Sequence, residues 1–214
     1  MKIKWLGHAS FLITAQDGTR IITDPYGKFD GLNYAPINES ADVVTASHKH
    51  GDHFGGKVKG KPRVIDQPGT TTVKGISFTG IACYHDPSGG KERGNNIIFC
   101  FSVDGIRLCH LGDLGHLLSK EQIAQIGPVD ILLIPVGGFY TINAAEAGRI
   151  AEQIKPRVII PMHVSNKKCA FPIAGVEEFL KGKSNVKRTG ASEAEFRKEN
   201  LPAKTEIIVL EPAL

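Results

Sequence analysis

Nothing in this sequence carries the spacing that pairs cysteines. Cys83, Cys100, Cys109 and Cys169 include no C-x-x-C pair, and three of them lie in or beside apolar runs. Buried, reduced thiols are therefore expected, and disulfides are not. No segment approaches the roughly 20 continuous apolar residues that a membrane helix needs. Met1-Lys2-Ile3-Lys4-Trp5-Leu6 turns polar and glycine-containing within a few residues, unlike a secretory signal, so a cytoplasmic location is expected. Aromatic residues make up 7% of the chain and form no aromatic-basic platform of the kind that stacks on bases. A large excess of one sign of charge is missing too. The net charge is +4, and the densest basic run, Lys57 to Arg63, alternates with Gly and Val, as a solvated turn does. Charge alone does not argue for nucleic acid.

What remains is ordinary globular material with one exception. At 214 residues, 41% hydrophobic and 22% charged, the chain suits a single domain over 1–214 with a sizeable core. The exception is Ser47-His48-Lys49-His50-Gly51-Asp52-His53, which gathers three of the eight histidines and an aspartate. Imidazole is the commonest protein ligand of zinc-like ions, and carboxylate oxygen completes such sites. The apolar run Val43-Val44-Thr45-Ala46 leads straight into it, and Gly51 with Gly55-Gly56 frees the backbone to fold the ligands inward. Alternation along an extended segment would place His48, His50 and Asp52 on one side and His53 on the other. That arrangement suits two adjacent ions better than one.

Read in order, the chain is strands first, then strand and helix in alternation. Ile3–Leu6, Phe11–Thr14 and Arg20–Thr23 are strands, with a hairpin signal at Asp17-Gly18. His8 interrupts the first apolar pattern, and its core and functional readings both stand. Asp24, before Pro25, either caps a turn or orients a ligand histidine. Residues 26–41 form an irregular loop that could overhang the site. Strands follow at 63–65 and 75–83, the second delivering His85. Residues 86–96, which contain Lys91 and Arg93, form the most flexible-looking stretch. Asn96–Ser102 and Ile106–Leu111 pair across Asp104-Gly105, and Asp113 follows. Ser119 starts a helix ending near Gly127, Asp130–Val136 is a buried strand, and Asn143 caps a helix over 144–154. The strand 157–161 delivers His163, a short helix lies at 176–180, and 206–210 closes the chain as a strand.

Histidines and aspartates thus recur at the ends of successive strands, as His85, Asp113 and His163. Separate ligands meet in space at one edge of a sheet. These three supply what the opening cluster lacks for two complete sites.

The order His48-x-His50-x-Asp52-His53, His85, Asp113, His163, together with Gly7-His8-Ala9-Ser10 and Thr23-Asp24-Pro25, resembles the metallo-β-lactamase superfamily over essentially the whole chain. It is most similar to the branch of ascorbate-phosphate lactonase-like and uncharacterised metal-dependent hydrolases. The resemblance implies a four-layer αββα sandwich with a dinuclear site between the sheet edges. It also implies that His48, His50 and His85 hold one ion, that Asp52, His53 and His163 hold the other, and that Asp113 bridges them.

The expected chemistry is metal-dependent hydrolysis by a metal-bound hydroxide on a small, anionic ester, lactone or phosphodiester. Two divalent ions are the cofactors, zinc foremost, with manganese, iron or nickel as alternatives. Asp52 is counted with the catalytic groups. His116, three residues past Asp113, could protonate a leaving group or support its neighbours. His110 reads as a buried supporting residue, and Tyr140 as either a hydrogen-bond donor or core. An RNA-processing nuclease of the same superfamily and a non-catalytic metal-binding module are the alternatives.

Overall fold

The computed structural model describes all of residues 1–214. Its strands are β1 (Lys2–Gly7), β2 (Ser10–Thr14), β3 (Arg20–Thr23), β4 (Val43–Thr45), β5 (Arg63–Ile65), β6 (Gly69–Val73), β7 (Ile76–Tyr84), β8 (Asn95–Val103), β9 (Ile106–His110), β10 (Ile131–Pro135), β11 (Val158–Met162), β12 (Val186–Arg188), β13 (Glu193–Glu195) and β14 (Glu206–Val209). The helices are α1 (Gly51–Phe54), α2 (Lys120–Ile126), α3 (Ala144–Ile154) and α4 (Val176–Leu180). No helix is long and apolar enough to cross a membrane.

The strands form two sheets. One has the order β13-β1-β2-β3-β4-β5 and the other β12-β14-β11-β10-β9-β8-β7-β6. Alternation assigns the faces of the first. Ile3, Phe11, Ile13, Ile21 and Val43 join a 50-residue core with Phe78, Phe99 and Phe101 of the second sheet. Leu12, Ile22 and Val44 point the other way, into a separate cluster of 11 residues. Residues of β10 and β11 are buried at every position, because α3 and the opposing sheet leave neither face to water. Trp5 stacks on Phe11 at 6.4 Å between ring centroids, and Phe11 meets His110 edge-on at 6.3 Å, which joins the two sheets beside the site.

The outer face of the six-stranded sheet is covered in an unexpected way. Helix α1 is a single turn, so Tyr26, Leu32, Tyr34, Ile37 and Ala41 from the 26–41 segment supply the covering layer. The stretch expected to overhang the site thus packs as structure. Strands β6, β12 and β13 had no signal in the sequence. They are short or threonine-rich, half-exposed edges whose side chains bury little apolar surface.

Register brings the site together. Tyr84 opposite Asn95, and Phe99 opposite His110, put the ends of β7 and β9 at one edge of the second sheet. Parallel pairing of β9 with β10 and of β10 with β11 adds the end of β11 to the same edge. On the first sheet, the parallel pair Thr23–Thr45 sets Asp24 beside the start of the histidine cluster.

Candidate metal centre

Two cups of histidine nitrogens face each other across one carboxylate. His48, His50 and His85 form the first, with ligand atoms within 4.8 Å of one another, and His8, His53 and His163 form the second on the same measure. Asp113 Oδ2 lies 3.2 Å from His85 Nε2 in the first cup, and 3.1 Å and 3.3 Å from His53 and His163 Nε2 in the second. His48 Nε2 is 4.0 Å from the same oxygen. The expected set of His48, His50, His53, His85, Asp113 and His163 is therefore gathered, with Asp113 between the cups.

Asp52 reaches the centre by a different path from the one its spacing suggested. The chain is extended only as far as His50, then closes the turn of α1, in which His53 N–H donates to His50 O at 3.0 Å. Asp52 and His53 consequently leave the side that His48 and His50 occupy. Asp52 Oδ2 ends 3.5 Å from His8 Nε2 and 3.9 Å from His53 Nε2, at the second cup. A strand-like alternation over all six positions is overturned by this one helical turn.

Asp24 fixes two of the rings. Its Oδ1 accepts from Ser47 N–H at 2.7 Å and its Oδ2 from Ser47 Oγ at 2.6 Å, while Oδ2 also accepts from His53 Nδ1–H at 2.8 Å. With its own proton committed to Asp24, Ser47 Oγ accepts from His48 Nδ1 at 2.9 Å. Both rings are thereby oriented with Nε2 towards Asp113. The orienting role left open for Asp24 is the one its geometry supports. Its φ of +39° lies in the left-handed region, as do those of His8 at +52° and His163 at +55°. Such backbone costs about 1–3 kcal/mol per residue and persists only where surrounding contacts enforce it.

Glycines let the ligand-bearing segments meet. A Cβ at Gly115 would land on the backbone of His85, and one at Gly137 on the His163 carbonyl. Asn96, in β8, was not singled out in the sequence, yet its side chain braces the segment that delivers Asp113. Its Oδ1 accepts from Asp113 N–H at 2.9 Å, and its Nδ2 donates to Leu111 O at 2.9 Å. A buried asparagine opening an otherwise apolar strand is the signal that would have found it.

The electrostatics divide the rings. Burial, reinforced by His53, pushes the His48 ring down to about 3, so it is neutral, as a metal ligand must be. Burial also opposes the His53 charge, but Asp113 and Asp24 outweigh it and raise that ring well above the usual histidine range. Burial disfavours ionised Asp113, yet His163 and His53 hold its carboxyl far below the carboxylate range. The buried Nε2 atoms of His48 and His53, Asp113 Oδ1, Asp52 Oδ1 and both nitrogens of His8 have no hydrogen-bond partner. Convergent, buried, unpartnered donors of this kind suit divalent cations.

Three further residues are placed outside the cups. His110 is satisfied on both nitrogens, with Nε2 donating to Ala9 O at 2.9 Å and Nδ1 accepting from Gly112 N–H at 3.2 Å, as its supporting role requires. His116 does not have the geometry of a proton donor. Its Nε2 accepts from Tyr84 N–H at 3.1 Å and its Nδ1 donates to Leu117 O at 2.8 Å, so neither nitrogen is free to face a leaving group. Tyr140 packs against Phe171 at 5.8 Å and under the Arg93 guanidinium at 5.8 Å. Phe171 in turn touches Phe29 and His8. This aromatic wall beside the second cup was invisible in sequence because its members come from three separate loops.

The 86–96 segment is ordered by one side chain. Asp86 is fully buried and accepts from the N–H groups of Ser88, Gly90, Glu92 and Arg93 at 2.8–3.1 Å. Burial works against its charge, but those donors hold the carboxyl down at about 2.

Comparison with known proteins agrees with this geometry. Residues 2–163 match the model of the beta-lactamase superfamily domain. A UPF0173 metal-dependent hydrolase of Thermococcus onnurineus is 32% identical over 209 residues, covering 85% of this chain and 91% of that one. One from Archaeoglobus fulgidus is 30% identical over 205 residues, covering 81% and 85%. A crystal structure from Thermotoga maritima, named as a candidate Zn-dependent hydrolase of the metallo-beta-lactamase superfamily, superposes with a TM-score of 0.82 at 41% identity and covers 98% of both chains.

Proposed function

The chain belongs to the metallo-β-lactamase superfamily, and from that premise we propose that it is a two-ion hydrolase of small anionic esters, lactones or phosphodiesters. That it is a metal-dependent hydrolase follows from its relatives and from its histidine and aspartate cluster. The two-ion reading is carried by one observation: Asp113 Oδ2 stands within 3.1–3.3 Å of Nε2 atoms belonging to both histidine cups. A divalent ion bound there supplies Lewis acidity and lowers the pKa of water towards about 7.

The residues of the chain do the rest. His48, His50 and His85 would hold one ion, with Asp52, His53 and His163 holding the other and Asp113 shared between them. Asp24 and Ser47 keep the His48 and His53 nitrogens aimed before any ligand arrives, which limits reorganisation on binding. The Phe171–Tyr140–Phe29 wall offers an apolar flank that excludes water from one side of the site. Arg93, held over Tyr140, supplies a cation beside this wall for an anionic group. A cavity of about 520 Å³ lined by His48, Tyr84, Asn95 and Gln122 adjoins the first cup and is large enough for a small substrate. Imidazole-rich cups with hard carboxylates favour zinc, with manganese, iron and nickel also matched by the donor set.

Elemental analysis of the purified protein, followed by a metal-supplemented screen, tests the reading. Two ions per chain and turnover of a small ester, lactone or phosphodiester are expected. Faster cleavage of RNA would move the assignment to a nuclease. Full metal loading with no turnover on the panel would sink the hydrolase assignment and leave a metal-binding module.

A further inference from the structure

We propose that His8 is a ligand of the second ion, making that cup a three-histidine set that Asp52 and Asp113 complete. The inference rests on the two-ion reading above and extends it to a residue between β1 and β2. His110 provides an internal control. Both rings are fully buried, but His110 has a hydrogen-bond partner on each nitrogen, whereas His8 has none on either. A neutral imidazole in the interior needs a donor and an acceptor, so a satisfied ring is structural and an orphaned one is waiting for a ligand.

The distances match shared coordination better than hydrogen bonding. Two donors bound to one ion at about 2.0–2.2 Å stand roughly 3.3–3.6 Å apart in tetrahedral geometry. His8 Nε2 is 3.5 Å from Asp52 Oδ2, and Asp113 Oδ2 is 3.3 Å from His163 Nε2. The His8 ring lies 4.1 Å from the His163 ring and 5.0 Å from the His53 ring, centroid to centroid.

The backbone is built to hold the ring there. His8 adopts φ +52°, and its carbonyl accepts from Trp5 Nε1 at 3.0 Å and from His163 N–H at 3.3 Å. The second of these bonds ties the end of β1 to the end of β11, one ligand segment directly to another across the two sheets. The Tyr34 ring packs over Gly7, where no side chain would fit. Strain of this sort at a fully buried histidine is expected where position matters more than local stability.

The test uses chelator-stripped protein reloaded with cobalt(II), comparing wild type with His8→Asn. Asparagine tolerates the left-handed backbone and removes the imidazole. Retention of the fold is checked by circular dichroism. His8→Asn should take up about one ion per chain, or bind the second at least ~10-fold more weakly, the scale on which even supporting residues of metal sites act. With cobalt in excess so that both sites fill, its proton spectrum should lose the single exchangeable, cobalt-shifted ring N–H signal of His8, and with only one ion bound it should lose those of His53 and His163 too. Two ions at unchanged affinity, with every shifted signal retained, would overturn the proposal. Should the variant not fold, wild type alone decides, because six shifted ring signals are expected with His8 ligated and five without. A single ion per wild-type chain would instead sink the two-ion reading. Even then, a signal lost in His8→Asn would keep His8 as a ligand, and its retention would exclude it.

Discussion

At the scale of single residues, the centre depends on side chains that never need to touch a substrate. Asp24 accepts three hydrogen bonds while fully buried, and through them it orients the rings of both His48 and His53. Asp24→Asn suits the strained backbone but places an amide where one carboxylate oxygen was, so one of those contacts must invert. Metal affinity measured by competition with a chromogenic chelator should fall about 10–100-fold, while the fold survives. Unchanged affinity would mean that packing alone orients the two rings. The sequence exposed this residue only as Asp before Pro, a pattern equally at home in a turn. Its role became visible when the β3–β4 register set it against Ser47.

At the scale of elements, local rules were legible wherever a cap or an apolar period was strong. Helix α3 starts where Asn143 predicts, with Asn143 Oδ1 accepting from the N–H groups of Ala145 and Glu146 and the Glu146 carboxylate returning to Asn143 N–H. The 86–96 segment is the opposite case. Its composition reads as flexible, yet one buried carboxylate organises it. Because the Asp86 carboxyl is depressed to about 2 in the folded chain, its contribution to stability is present above the ordinary carboxylate value near 4 and is lost as pH falls through about 2. Asp86→Ala should therefore speed amide hydrogen exchange at Ser88, Gly90, Glu92 and Arg93 at neutral pH. Lowering the pH from about 4 to 2 should have the same effect on wild type. Protection that persists under both treatments would show that the turn holds without its carboxylate. The segment matters for function because it carries Arg93 to Tyr140.

For the whole molecule, the centre is a joint between two sheets. His8 and Asp24 belong to the first sheet, His85, Asp113 and His163 to the second, and backbone hydrogen bonds from His163 N–H to His8 O and from Ile97 N–H to Ser47 O cross between the sheets. A divalent ion held by residues of both sheets would bind the folded chain and not the unfolded one, and so should stabilise it. Stripping the metal should lower the melting temperature, and re-addition should restore it in a concentration-dependent way, as scanning calorimetry can measure. A melting temperature indifferent to chelation would mean that the ions contribute nothing to joining the sheets. Gly137→Ala should mimic part of this loss without touching a ligand, because its Cβ would collide with the His163 carbonyl and push that ring out of the second cup.

The sequence by itself determined which chemistry the chain can hold. Three histidines and an aspartate within six positions, with His85, Asp113 and His163 each placed after a strand, are covalent facts that no folding alternative could erase. It also determined the strong elements, since caps and apolar alternation act over a few residues. Only the tertiary structure decided which of these side chains share a cup. The single turn of α1 carried Asp52 to the second cup, and burial without a partner separated His8 from His110, two histidines that look equally internal in sequence. It also engaged both His116 nitrogens with backbone groups and gathered an aromatic wall from distant loops. The reason is physical. Ligand identity is a property of residues, whereas a shared coordination site is a property of distances. Those distances are set by sheet register and by contacts between segments more than a hundred residues apart.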